Sequence, residues 1–116
     1  MKIYISGPIT DNDQKQVKKS FAAIDYFIKK QGHTPVNPLL VDPPENLEDK
    51  EEVWQYYMRK AICLLMECDA IYMHPSWSTS KGASLERALA LSLKFPIFYT
   101  FEDLYIHTEG KIPQRR

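Results

Sequence analysis

The sequence has little cysteine, no excess of either charge and no long apolar run. Its 116 residues carry 15 basic and 15 acidic side chains, a formal net charge of zero. That balance removes the long-range draw toward a nucleic acid polymer or an acidic membrane that a strongly basic chain has. It leaves room for a small anion held by local contacts. The two cysteines, Cys63 and Cys68, make no CxxC pair and no Cys/His cluster of zinc spacing, so no metal site is expected. They fall five residues apart on or near one expected helix and point in different directions. Both are expected to be small buried apolar residues in a reducing compartment. No apolar run approaches the ~20 residues of a membrane span. The opening from Met1 to Pro8 is too short and too soon broken for a signal peptide, which makes the cytoplasm the expected location. There is no GxGxxG fingerprint, no Walker lysine pattern, no internal repeat and no low-complexity segment, and no cofactor is expected.

What is present is a regular alternation of strand and helix signals. Lys2 to Ser6 is β-branched and aromatic and is ended by Gly7-Pro8. A helix follows, starting near Thr10 to Asp13, with Val17, Phe21, Ile24, Phe27 and Ile28 at helical spacing and Gly32 as its stop. His33 to Asn37 reads as a second strand. Pro38, Pro43 and Pro44 then imply a loop without regular structure. A second helix runs from Leu47 or Glu51 to Met66 with a stripe of Trp54, Tyr57, Met58, Ala61, Leu64 and Leu65. Asp69 to His74 is a third strand, Pro75 to Ser80 a polar loop, and Lys81 to Leu93 a third helix rich in Ala and Leu. Pro96 to Thr100 is a fourth strand. The last sixteen residues read as a tail with one helical turn around Glu102 to Ile106.

Such alternation within 116 residues fits one domain, residues 1–116, with right-handed crossovers. The expected architecture is a three-layer α/β fold, flavodoxin-like or Rossmann-like. Its four- or five-stranded parallel sheet carries helices on both faces. Ligands of these sheets bind outside the carboxyl ends of the strands. Three loops leave those ends: Gly7 to Asp13, Pro38 to Pro44, and Pro75 to Lys81.

Those loops hold the candidate site residues. In Ser6-Gly7-Pro8-Ile9-Thr10, glycine permits close backbone approach and the following helix N-terminus favours an anion; a plain strand-to-helix turn would read the same. Glu86 lies one turn into the third helix, and Gly82, Ala83 and Ala90 share its face. Either it is a carboxylate buried among small residues with a perturbed pKa, or it points to solvent and pairs with Arg87 or Lys94. Ser80 and Gly82 open that helix, where a hydroxyl and free N–H groups cap it and can also cradle a phosphate. Asp69 reads as structural, bonding loop N–H groups at the far end of the sheet. His74 can bond a ligand hydroxyl or fill the loop beside Pro75. Trp77 can stack on a base or close the core edge. Tyr4 can reach the pocket with its hydroxyl or serve as core.

Three motifs, in order, carry a family resemblance: Tyr4-Ile5-Ser6-Gly7-Pro8-Ile9, Asn37-Pro38 after the second strand, and Pro75-x-Trp77-x-x-Ser80-x-Gly82-Ala83-x-x-Glu86. Over residues 2 to 100 the chain resembles the nucleoside 2-deoxyribosyltransferase superfamily, in particular its DUF4406 branch. The resemblance implies cleavage of an N-glycosidic bond in a nucleoside or nucleotide. Glu86 would be the nucleophile at C1′, as in retaining glycoside hydrolysis, and Tyr4 would orient it. Where transferases acting on free nucleosides carry aspartate, this chain has Ser80, as the nucleotide N-hydrolases do, where serine meets the 5′-phosphate. Ser6, Gly7, Pro8, Ile9, His74, Trp77, Ser80 and Gly82 would contact the substrate. A homodimer or larger homo-oligomer is implied, and the aromatic stripe with Tyr56 and Tyr57 puts the second or third helix at the contact. Catalytic members also carry an aspartate near the end of the helix before the third strand, as acid for the leaving base. Positions 60 to 63 here are Lys60, Ala61, Ile62 and Cys63, and neither Glu67 nor Asp69 matches that spot. Two functions therefore stand side by side: an N-glycosidase or deoxyribosyltransferase, with His74 as a substitute donor, and a non-catalytic nucleotide-binding protein.

Overall fold

Strand β1 (Lys2–Ser6) is flanked on both sides, which is why four of its five residues are buried. In the computed structural model, which describes residues 1–9 and 14–109, β1 pairs in parallel with β2 (Thr34–Val36) and β3 (Ala70–Met73). Strand β4 (Ile97–Phe98) continues from β3, also in parallel, and gives the order β2-β1-β3-β4. Four helices complete the described fold: α1 (Gln14–Lys30), α2 (Lys50–Met66), α3 (Lys81–Ser92) and α4 (Phe101–Glu109). This is the expected three-layer α/β architecture with four parallel strands.

Alternation along the strands divides the core in two. Ile3, Ile5, Ala70, Tyr72 and Phe98 point to one face, where they meet Val17, Phe21, Ile24 and Ile28 of α1 and Leu104 of α4. Tyr4, Ile71 and Met73 point to the other, against Ala61 and Leu65 of α2 and Ala83 and Ala90 of α3. The chain leaves β1 toward β2 and returns past it to β3, so a switch point opens at the carboxyl ends of β1 and β3.

Local signals set most boundaries. Asp49 caps α2 by accepting from Glu52 N at 3.1 Å, and Ser80 caps α3 by accepting from Ala83 N at 3.1 Å. Asp69 accepts from Lys2 N at 2.8 Å, tying β3 to the start of β1 at the far end of the sheet. The expected start of α1, Thr10 to Asp13, lies outside the described residues.

Three expectations are corrected. The proline loop does hold regular structure: Pro38–Leu40 is a 3-10 turn, capped by Asn37 Oδ1 accepting from Leu39 N at 2.9 Å, because proline suits a first helical position. The tail beyond β4 is a full helix, α4. Thr100 Oγ1 accepts from Asp103 N at 3.0 Å while Asp103 Oδ2 accepts from Tyr99 N and Thr100 N, a reciprocal cap that buries Leu104. Cys63 is exposed, because α2 turns Ala61 and Leu65 to the sheet and Cys63 away from it. Cys68 is buried, and burial pushes its thiol up to about 11.

Candidate active site

Glu86 is the only charged residue in the buried core among the described residues, 4% exposed. It is buried because its face of α3 carries Ala83 and Ala90, which let the helix lie close to β1 and β3. The solvent-facing alternative is excluded. Arg87 instead donates from Nε to Tyr99 OH at 2.7 Å and lies over the Trp77 ring, and Lys94 occupies the left-handed turn after α3 at φ 62.

Two hydroxyls hold the carboxylate from beneath. Tyr4 OH donates to Oε2 and Ser6 Oγ donates to Oε1, both at 2.6 Å. Both donors are fully buried, and they stand on the same face of β1 because they are two residues apart. Burial raises the Glu86 carboxyl from its ordinary 4.5 to about 7, against the pull of the Ser6 and Tyr4 hydrogen bonds toward the ionised form. Burial first, and then the charge of Glu86 and the hydrogen bond to it, hold the Tyr4 phenol well above its ordinary value, so Tyr4 stays a donor. The site therefore presents an ionisable carboxylate, fixed at both oxygens, at the working pH of a cell.

Glu86 opens onto a cleft of about 950 Å³ at the carboxyl ends of the strands. Gly7, Pro8 and Ile9 form one side, and Ser80, Gly82 and Ala83 of the α3 start form another. The site residues expected from these two segments are thus brought together with Glu86. The loop after β3 reaches the cleft only at its end, with Thr79 and Ser80, and the third wall is a helix. It is α2, with Trp54, Tyr57, Met58 and Ala61, joined by Pro38 and Leu39.

His74 and Trp77 face elsewhere. Ser76 N–H donates to His74 Nδ1 at 3.0 Å, which leaves the proton on Nε2 to donate to Ser20 Oγ at 3.0 Å. Burial lowers the His74 pKa and keeps the ring neutral. The imidazole thus ties the end of β3 to α1 with both nitrogens used. Trp77 packs against Arg87 and Tyr99 and, partly buried, closes the edge of the core on the Tyr4 face of the sheet.

Sequence reasoning missed the α2 wall as a wall. Trp54, Tyr57, Met58 and Ala61 were visible as a stripe, but a stripe of that spacing also describes a core face. It also missed Lys18 and Lys50, which line the cleft without an ion pair among the described residues. Lys81 lies 4.0 Å over the Trp54 ring and 3.6 Å from Glu51, so its charge is already engaged.

A titration prediction follows from this geometry. A chemical step that needs ionised Glu86 should gain rate as pH rises from 5 and level off above about 7. A pH profile of kcat/KM checks it, and a rate falling across that range would assign the working form to the protonated acid.

A parallel α/β sheet here carries a hydroxyl-clamped carboxylate, buried at its switch point and open to a cleft. The chain belongs to the DUF4406 family, described as a domain of unknown function, whose model matches residues 1–99. Among solved structures it is similar to the 2-deoxyribosyltransferase of Bacillus psychrosaccharolyticus, with a TM-score of 0.66 and 16% identity over 90% of each chain. It is also similar to the Clostridium botulinum CMP N-glycosidase, at a TM-score of 0.52 and 18% identity over 84% of this chain and 68% of that one. The 2-deoxyribosyltransferase of Leishmania mexicana follows at 0.51 and 18%, over 83% and 61%. At these identities the likeness is one of fold. No curated protein sequence matches the chain. Among the described residues, no helix is long and apolar enough to cross a membrane.

Proposed function

We propose that this protein acts at the N-glycosidic bond of a nucleoside 5′-monophosphate, cleaving it or transferring its sugar, with Glu86 as nucleophile. The observation that carries the reading is the Glu86 carboxylate itself, buried, clamped by Tyr4 and Ser6, and open to the cleft on one side. A charge in an apolar core costs several kcal/mol unless it is used or compensated. Here the compensation is directional and leaves the carboxylate poised toward the cavity. In the reaction, one Glu86 oxygen bonds C1′ as the C1′–N bond breaks and its electron pair leaves with the base. The negative charge also stabilises the cationic character of the sugar. Water or a second base then takes the sugar from Glu86.

The phosphate end of the substrate falls to Ser80 and to Lys18 and Lys50. Ser80 Oγ already accepts from Ala83 N, so its own O–H remains to donate. Lys18 and Lys50 add positive charge. Ser80→Ala should therefore weaken monophosphates more than nucleosides, by roughly 10- to 100-fold, since a charge-assisted hydrogen bond contributes about 1.5–3 kcal/mol. Calorimetric titration with both ligand classes reads the difference, and equal weakening would take the phosphate away from Ser80.

A second reading is a non-catalytic nucleotide-binding protein of the same fold. It is favoured by Ala61, which puts a methyl group where residues 60–63 reach the cleft and no carboxylate. Free base release from a panel of nucleoside and deoxynucleoside monophosphates decides between them. Release supports the enzyme, and tight binding without release supports the second reading.

A further inference from the structure

A departing base takes the electron pair of the C1′–N bond and needs a proton, and the cleft must supply one. Among the described residues, the carboxylates that line the cleft besides Glu86 are Glu48 and Glu51. Glu51 is held by Lys81 at 3.6 Å. It also lies ten residues before Ala61, about 15 Å back along the helix, at the mouth. Glu48 precedes the helix altogether. His74 has both nitrogens engaged with Ser76 and Ser20. Ser80 is placed at the cap of α3.

On the inner half of the α2 wall the side chains are Trp54, Tyr57, Met58 and Ala61. One of them carries a hydroxyl. Tyr57 is half-buried, sits one helical turn before Ala61 on the same face, and meets the Tyr56 ring edge-on. Its O–H has no hydrogen-bond partner among the described residues, whereas Tyr4 and Tyr56 each have one. A hydroxyl on a half-buried residue that lines a cavity, with no partner among the described residues, is free to serve a ligand.

We infer that Tyr57 is a catalytic residue, the group that holds the leaving base and gives it its proton. The inference rests on the reading of Glu86 as nucleophile. As the Glu86 oxygen bonds C1′, the C1′–N bond breaks and the base nitrogen takes the phenol proton. Water then attacks C1′, Glu86 leaves, and the proton lost by that water returns to the phenolate. Charge and atoms balance without a further reactant. The arrangement also places the base against Trp54, whose indole N–H is likewise without a hydrogen-bond partner among the described residues.

The test compares two leaving groups. Tyr57→Phe should lower the release of an ordinary base from a nucleoside monophosphate by roughly 10²- to 10⁴-fold. It should change the release of 4-nitrophenol from 4-nitrophenyl 2-deoxyriboside 5-phosphate only a few-fold, because that leaving group departs without an acid. An undiminished rate on the ordinary base overturns the inference, and so do equal losses on both substrates. The second substrate also guards against misfolding: Tyr57→Phe that still releases 4-nitrophenol within a few-fold of the wild type is folded with Glu86 at work, so its loss on the ordinary base belongs to the missing hydroxyl. Wild-type protein that releases neither leaving group overturns the Glu86 reading and this inference with it, whereas release by the wild type with an unaltered Tyr57→Phe overturns only the latter.

Discussion

Replacing Glu86 by glutamine is expected to lower base release by roughly 10³-fold or more while nucleotide binding persists. The amide keeps the size of the side chain: its oxygen accepts from one of the two hydroxyls, and its NH2 donates to the oxygen of the other. It cannot form the bond to C1′, and it brings no negative charge to the sugar. The same variant should also be more stable, and the sign depends on pH. Folding raises the Glu86 carboxyl from 4.5 to about 7, so the folded state binds a proton that the unfolded chain has lost. Stability contributed by this group is therefore intact below about 4.5 and falls as pH rises to about 7. Above that the ionised carboxylate costs about 3 kcal/mol, at about 1.4 kcal/mol per tenfold change in proton affinity. Glu86→Gln escapes that cost, which gives a Tm about 10 °C higher at pH 8. At pH 5 the gain shrinks to under about 1 kcal/mol. Thermal melts at the two pH values, with and without nucleotide, read stability and binding; chromatography of the free base reads chemistry. A variant that melts lower at pH 8 than the wild type would mean the carboxylate holds the fold together instead of being held by it. Full base release would remove Glu86 as nucleophile.

That Glu86 could be picked out of the sequence as a candidate at all comes from its neighbours. Gly82, Ala83 and Ala90 flank Glu86 at helical spacing, and small residues on one face imply close packing, so a glutamate among them is out of place. The sequence left its two orientations open, because Arg87 next to it and Lys94 offered equally plausible partners. What closed the question was tertiary. Arg87 is taken by Trp77 and Tyr99, and β1 brings two hydroxyls under the carboxylate that lie 80 and 82 residues away in the chain. No local pattern encodes such a contact.

The α2 wall was hidden for a different reason. Its 17 residues span about 25 Å, while the four residues of β3 span about 13 Å. The helix is longer than the sheet it covers. Its second half buries Ala61 and Leu65 on the sheet, and its first half overhangs the strand ends with the same stripe, so Trp54 and Tyr57 face the cleft. Periodicity reports which residues share a face but not where the facing sheet stops. His74 shows the converse limit. Its position at the carboxyl end of a strand is correct, yet the route of the chain after β3 turns the ring toward Ser20 and Phe21.

Gly7→Ala should be the most damaging glycine-to-alanine change among the described residues. A Cβ built on Gly7 would stand 2.5 Å from His74 Cβ, 3.0 Å from His74 Cγ and 3.1 Å from Phe21 Cζ. The nearest of these atoms is one bond from the backbone and cannot swing aside, so the ends of β1 and β3 must separate. They are joined there by His74 N donating to Ser6 O at 2.7 Å. Overpacking of this kind typically costs about 1–3 kcal/mol, and strain on that ladder bond places the variant at the upper end. The expected result is a Tm lower by about 10 °C. The damage should also reach the chemistry, because Ser6 precedes Gly7 and its hydroxyl fixes one oxygen of Glu86. Activity per folded molecule should therefore fall, most visibly in kcat, since Ser80 and the lysines proposed to meet a phosphate lie outside the displaced segment. His74→Ala in the same chain relieves the contact at Cγ but not the one at Cβ, so it should recover little of the lost stability. His74→Gly in the Gly7→Ala background removes both atoms and should recover more than His74→Ala does. A Gly7→Ala variant as stable as the wild type would show that the strand ends yield freely, and that the clamp on Glu86 does not depend on their closure.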